Sequence, residues 1–122
     1  MYKAIAEKWV EALRSGEYQQ GRLVLQNSRG AFCCLGVLCD LHRTDEGGEW
    51  VTDHVGRTDG GKLYQPLLGG EDYALLPPAV QRWAGIRSNN PAARGEILTD
   101  LNDDGRSFDD LADLIDTRWE EL

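Results

Sequence analysis

Positions 31–39 (Ala-Phe-Cys-Cys-Leu-Gly-Val-Leu-Cys) carry no polar side chain, and polarity returns only at Asp40 and His42. A surface helix shows one apolar stripe, so a segment apolar on every side belongs in the middle of a fold. Leu, Cys and Ala outnumber β-branched residues there, which favours a helix over a strand for residues 33–42. Gly36 leaves room for another backbone to approach.

The remaining elements are read against this centre. Ile5, Trp9 and Leu13, flanked by Val10 and Ala12, form the apolar stripe of a helix over residues 2–15, stopped at Gly16. Residues 17–32 change period. Gly21–Gln26, a turn at Asn27–Gly30 and Ala31–Phe32 predict a short β-hairpin leading into the central helix. Residues 43–70 hold half of the fourteen glycines, and Trp50–Val51 and Lys62–Tyr64 suit a second small hairpin. Pro77–Pro78 opens a short helix ending at Gly85. Residues 95–102 continue helical or extended, with Ile97, Leu98 and Leu101 inward. Ser107 followed by Asp110 reads as an N-terminal cap for a last helix burying Phe108, Leu111, Leu114, Ile115 and Trp119. The pattern defines an α+β fold, with four or five helices and small antiparallel hairpins around the buried 33–42 helix. It forms one domain over 1–122, with a glycine-rich insertion at about 43–72.

Charge narrows the function classes. The formal net charge is −8, and residues 100–122 hold nine acids against Arg106 and Arg118. The rest of the chain is close to neutral. No basic stripe could track phosphates, so nucleic acid is not an expected partner. No apolar run is long enough to span a membrane, and no signal peptide pattern opens the chain. Three cysteines, two of them adjacent, suit a reducing compartment in which thiols act as small hydrophobes.

Several chemical constellations fall short of their templates. Asp100, Asn102, Asp104 and Gly105 match the first half of a calcium loop, but Ser107 and Leu111 stand where an apolar residue and the closing carboxylate belong. A polar turn ending in the Ser107 cap explains the same residues. Cys33, Cys34, Cys39 and His42 lack the spacing of a zinc site. Cys33 at a helix start is the one thiol placed for a lowered pKa, and no base stands beside it in sequence. His42 and His54 neighbour Asp40 and Asp53, yet no hydrolase, metalloprotease, P-loop or dinucleotide motif occurs. No catalytic residue, metal or cofactor is expected.

Gln20-Gly21, the run Phe32-Cys33-Cys34-Leu35-Gly36-Val37-Leu38-Cys39-Asp40, Leu76-Pro77-Pro78 with Trp83-Ala84-Gly85, and Leu101-Asn102-Asp103 with Gly105, Ser107-Phe108 and Ala112-Asp113 form a set. This set resembles a family of small proteins encoded in phage and prophage genomes, with residues 43–75 as a variable insertion. The resemblance implies an accessory phage product acting in the bacterial cytoplasm, and it carries over no site residue. In that context the expected function is non-enzymatic: binding and sequestering a small host molecule, such as a nucleotide-derived defence signal. Inhibition of a host protein through the acidic tail helix is the alternative, and a small enzyme degrading such a signal is the third reading.

The expected ligand site lies where the first hairpin, the polar end of the central helix and the insertion meet. Gln20 and Arg22 come from the hairpin, Asp40, His42 and Arg43 from the helix end, and Trp50, His54 and Tyr64 from the insertion. Arg22 and Arg43 would hold an anionic group while Trp50 or Tyr64 stacks on a planar one.

Overall fold

The computed structural model describes residues 1–52 and 61–122. Its first helix, α1 (Lys3–Arg14), buries Ala6, Trp9, Val10 and Leu13. Gly16 follows in the left-handed region with φ 76°. Trp9 is fully buried, and its indole N–H donates to the Cys34 carbonyl at 2.9 Å. A large ring enters the core without leaving its one polar group unpaired.

The central helix α2 (Cys34–Glu46) buries every residue from Cys34 to Cys39. It runs one turn beyond the expected 33–42, because Arg43, Thr44, Asp45 and Glu46 are helical residues facing solvent. The Leu25 backbone lies directly against Gly36, where a Cβ would collide with the Leu25 carbonyl oxygen. The same carbonyl accepts the Cys33 N–H at 3.2 Å, fixing the entry of the chain into α2.

Residues 17–32 do not form the expected hairpin ladder. They make single bridges in which Phe32 pairs with both Gln20 and Gln26. The physical reason is Leu23, whose φ of 73° takes the chain out of extended geometry in the middle of the segment. The turn chemistry is as read from the sequence. The Asn27 side-chain oxygen accepts from Arg29 N (2.9 Å) and Ala31 N (3.0 Å), and Gly30 has φ 81°.

The second hairpin forms. Strands β1 (Gly48–Thr52) and β2 (Lys62–Pro66) pair antiparallel with Trp50 opposite Tyr64 and Val51 opposite Leu63. Tyr64 also exchanges two backbone hydrogen bonds with Asp72. In the segment expected as an insertion at 43–72, residues 43–46 are the last turn of α2, 48–52 and 62–66 form this hairpin, and 67–72 lead to the Asp72 bridge with Tyr64. His54 lies outside the described residues.

Helix α3 (Pro78–Ala84) ends at Gly85, φ 71°. Strands β3 (Ala92–Ala93) and β4 (Glu96–Ile97) are joined by Arg94 and Gly95, whose φ values of 55° and 74° suit a two-residue hairpin turn. The chain then becomes helical as α4 (Leu98–Asp103), burying Leu98 and Asn102. Helix α5 (Phe108–Arg118) starts under a cap in which Ser107 Oγ accepts the Asp110 N–H at 3.1 Å. It packs along α1, and Arg14 reaches Asp113 at 2.7 Å and Asp116 at 3.7 Å. Among the described residues the architecture is α+β: five helices and two small antiparallel hairpins, with the buried α2 at the centre. Among the described residues, no helix is long and apolar enough to cross a membrane.

Candidate functional site

The expected site residues fall into two groups that face different surroundings. The first is built on the exposed end of α2. Asp40 accepts hydrogen bonds from the Tyr18 hydroxyl (2.7 Å), Arg43 Nε (2.7 Å) and Trp50 Nε1 (3.0 Å). Burial alone would raise the Asp40 pKa, but these three donors outweigh it and hold the carboxyl below its usual range. Burial raises the Tyr18 pKa, and the hydrogen bond to Asp40 adds to it, so its hydroxyl remains a donor.

The rings around Asp40 pack against one another, mostly edge to face. Tyr18 meets Phe32 edge-on at 5.1 Å, Phe32 meets Trp50 at 5.6 Å, and Trp50 leans on Tyr64 at 5.0 Å. Tyr64 then meets His42 at 5.8 Å, and His42 meets Trp83 at 5.3 Å. His42 and Tyr64 are buried, with His42 Nδ1 and the Tyr64 hydroxyl 2.6 Å apart. Burial lowers the His42 pKa against the opposing pull of Glu46 and Asp45, and burial raises the Tyr64 pKa. The pair is therefore neutral on both sides near neutral pH. Asp40, His42, Arg43, Trp50 and Tyr64 are brought together, as a chain of rings and a carboxylate that satisfy each other's polar groups.

The thiols are buried as well. Burial pushes Cys33 up to about 11, and raises Cys34 and Cys39 well above the ordinary thiol value. Backbone N–H groups at the start of α2 pull Cys33 the other way and do not prevail. A thiol held protonated is a poor nucleophile. Among the described residues no cluster of His, Cys, Asp and Glu gathers in metal-binding geometry. Asp100 and Asn102 sit in a helix, and Asn102 is committed elsewhere.

That commitment organises the second group. Asn102 is fully buried. Its Oδ1 accepts from Gln20 Nε2 (2.9 Å) and Cys34 N (3.2 Å), and its Nδ2 donates to the Gly21 carbonyl (2.9 Å) and Asp103 Oδ1 (3.1 Å). Gln20 Nε2 also donates to the Arg106 carbonyl at 2.7 Å. One amide therefore ties the first loop, the start of α2 and the α4–α5 corner together. Its sequence signal was its place four residues after Leu98, on the buried face of α4, where a polar side chain must find partners.

Two depressions open at this corner. A small cleft of about 130 Å³ is lined by Gln20, Arg22, Asn102, Gly105 and Arg106. Arg106 is also a wall of a larger groove of about 410 Å³ along α4 and α5. Leu101, Leu111 and Leu114 form its apolar part, and Arg94, Glu96, Asp110, Asp113 and Thr117 its polar part. Gln20 and Arg22 thus lie apart from Asp40, His42, Arg43, Trp50 and Tyr64, and line an opening that those five do not. Arg106 and the α5 leucines were not among the residues expected to bind.

Fold and corner together define a small helix-rich α+β domain centred on a cysteine-bearing helix and locked by a buried asparagine. The chain belongs to the family described as Domain of unknown function (DUF8296), whose profile matches residues 1–119. No curated protein and no solved structure matches it.

Proposed function

We propose that the protein is a non-enzymatic phage accessory factor that sequesters a small host molecule, nucleotide-derived in character, in the groove between α4 and α5. The observation that carries this reading is the groove itself. At about 410 Å³ it has the size of a small-molecule site, and it sets three leucines against a mainly polar rim of Arg94, Glu96, Arg106, Asp110, Asp113 and Thr117 that can orient a bound molecule. The aromatic rings near Asp40, in contrast, are occupied by one another.

Binding is favoured over catalysis by the state of the reactive groups among the described residues. The three thiols are buried and held protonated, and His42 is neutral against Tyr64. The alternative, an acidic face that blocks a host protein, has less support, because Arg14 already neutralises part of that face at Asp113 and Asp116.

The test is to purify the protein from host cells, denature it, and weigh the released small molecules by mass spectrometry. Wild type should release a discrete compound, and Leu114→Trp, which fills the groove, should not. A wild-type protein that carries nothing, together with a Leu114→Trp variant that still counteracts the host, would sink this reading in favour of the protein inhibitor.

A further inference from the structure

We infer that the small cleft beside the groove is a phosphate subsite, and that the molecule held by the protein is a phosphate ester or diphosphate with a less polar body. This rests on the proposal that the α4–α5 groove holds that body. The cleft's lining contains two guanidinium groups, Arg22 and Arg106, and no carboxylate. The neighbouring Asp103 carboxylate is engaged by the Leu23 N–H (3.0 Å) and Asn102 Nδ2 (3.1 Å) and not by either arginine. Among the described residues, neither arginine side chain makes an ion pair or a hydrogen bond, whereas Arg14, Arg43 and Arg118 each hold a carboxylate.

Size limits what enters. At about 130 Å³ the cleft is well below the roughly 300 Å³ at which drug-sized ligand sites begin. It takes a group, not a whole ligand. Two forked guanidiniums suit a phosphoryl group, which offers several oxygens and more than one negative charge. Because Arg106 belongs to both openings, a phosphoryl group between the arginines would leave the rest of its molecule pointing along the groove.

The two arginines project from fixed backbone. Gly21, next to Arg22, has its carbonyl held by Asn102 Nδ2 and its N–H by the Phe32 carbonyl at 2.7 Å. Arg106 gives its carbonyl to Gln20 and its N–H to the Leu101 carbonyl at 3.0 Å. Gly105 has φ 104°, and a Cβ there would stand 3.6 Å from Arg22 Nη2. The glycine therefore lets the corner turn while Arg22 lies over it. Such positioning reduces the ordering cost of binding.

Pyrophosphate titrated calorimetrically into the full chain tests the subsite directly. Saturable binding is expected, weakened about tenfold or more in Arg22→Gln and in Arg106→Gln and unchanged in Arg29→Gln. Melting temperature should stay put in all three, since these side chains are exposed. Orthophosphate, a nucleoside and its 5′-monophosphate form the second arm. The monophosphate should bind more tightly than either other probe, and Leu114→Trp should remove its advantage over orthophosphate while leaving pyrophosphate binding intact. Absent pyrophosphate binding, or equal weakening in Arg29→Gln, would overturn the subsite. A co-purified molecule that is lost in Leu114→Trp but retained in Arg22→Gln would overturn the subsite alone and leave the proposed function standing. Pyrophosphate binding by a wild-type protein that carries no co-purified molecule, together with a Leu114→Trp variant that still counteracts the host, would do the reverse.

Discussion

The end of α2 and the α4–α5 corner carry similar residue types and use them in opposite ways. Around Asp40, an arginine, a tyrosine and a tryptophan converge on one carboxylate, and six rings lean on each other in sequence from Tyr18 to Trp83. Around Asn102, an equally dense set of hydrogen bonds involves amides and backbone, and it leaves two arginines facing an opening. A residue type suited to ligand binding therefore says little until its partners are counted. The first region has used up its chemistry in holding the fold, and the second has chemistry left over.

The sharpest way to break this contrast is Tyr64→Ala. Tyr64 is fully buried between Trp50 and His42, so its loss should destabilise the protein by about 3–5 kcal/mol. Denaturant melts would show it as a lower midpoint. A Tyr64→Ala protein as stable as wild type would mean the ring chain is free to serve a ligand after all. Next in size is Asn102→Ala, which leaves the buried Cys34 N–H and the Gly21 carbonyl without their partner. The expected cost is about 2–3 kcal/mol. It should also weaken pyrophosphate binding, because Gly21 beside Arg22 loses its anchor and Gln20, which holds the Arg106 carbonyl, loses the Asn102 oxygen that orients it. Full stability with weakened binding would assign Asn102 to the site and not to the frame.

Much of the fold was legible because its signals are local. The wholly apolar run gave away α2, Ser107 marked the start of α5, and the pairing of Trp50–Val51 with Lys62–Tyr64 followed from two short apolar segments around glycines. Two features escaped for physical reasons. The last turn of α2 is polar on every side because it projects into solvent, so hydrophobic patterning reads it as loop. Leu23 adopts a conformation more often given to glycine, and no propensity of leucine announces it. The candidate site divides along the same line. Gln20 and Arg22 were recognised by chemical type, but Arg106 joins them only through tertiary contacts, the Gln20 hydrogen bond to its carbonyl and the tie from Gln20 to Asn102.

Acid should separate the two regions next. His42 and Asp40 both have folded pKa values below their unfolded ones, so the unfolded chain binds more protons as pH falls. The stability that His42 contributes is complete above about 6.5 and is lost as pH falls below that value. That of Asp40 is complete above about 3.9 and is lost as pH falls further, through its depressed folded value. Wild type should therefore melt lower at pH 5 than at pH 7, and lower again at pH 3. Asp40→Asn should cost about 1–2 kcal/mol at pH 7, discounted because Arg43 is partly exposed to solvent. It should flatten the acid limb below pH 4 and leave pyrophosphate binding at neutral pH unchanged. A variant with an unchanged acid limb would show that Asp40 is not held by its three donors.

The smallest expected effect is a gain. Leu23 sits at φ 73° with its side chain three-quarters exposed (75%), so the fold draws little burial from it while bearing a left-handed leucine. Its backbone N–H donates to Asp103 Oδ1 at 3.0 Å, which a glycine would retain. Left-handed backbone costs an ordinary residue about 1–2 kcal/mol, and glycine returns part of that through the greater freedom of its unfolded chain. Leu23→Gly should thus stabilise the protein by about 0.5–1 kcal/mol, read as a small rise in melting temperature. Pyrophosphate binding should be unchanged, since the neighbouring Arg22 keeps its anchor at Gly21. If melting temperature instead falls, the exposed leucine packs where the corner needs it. If stability rises but the affinity for pyrophosphate drops, the strain at residue 23 is what aims Arg22 into the cleft, and the open corner depends on a conformation the closed region does not require.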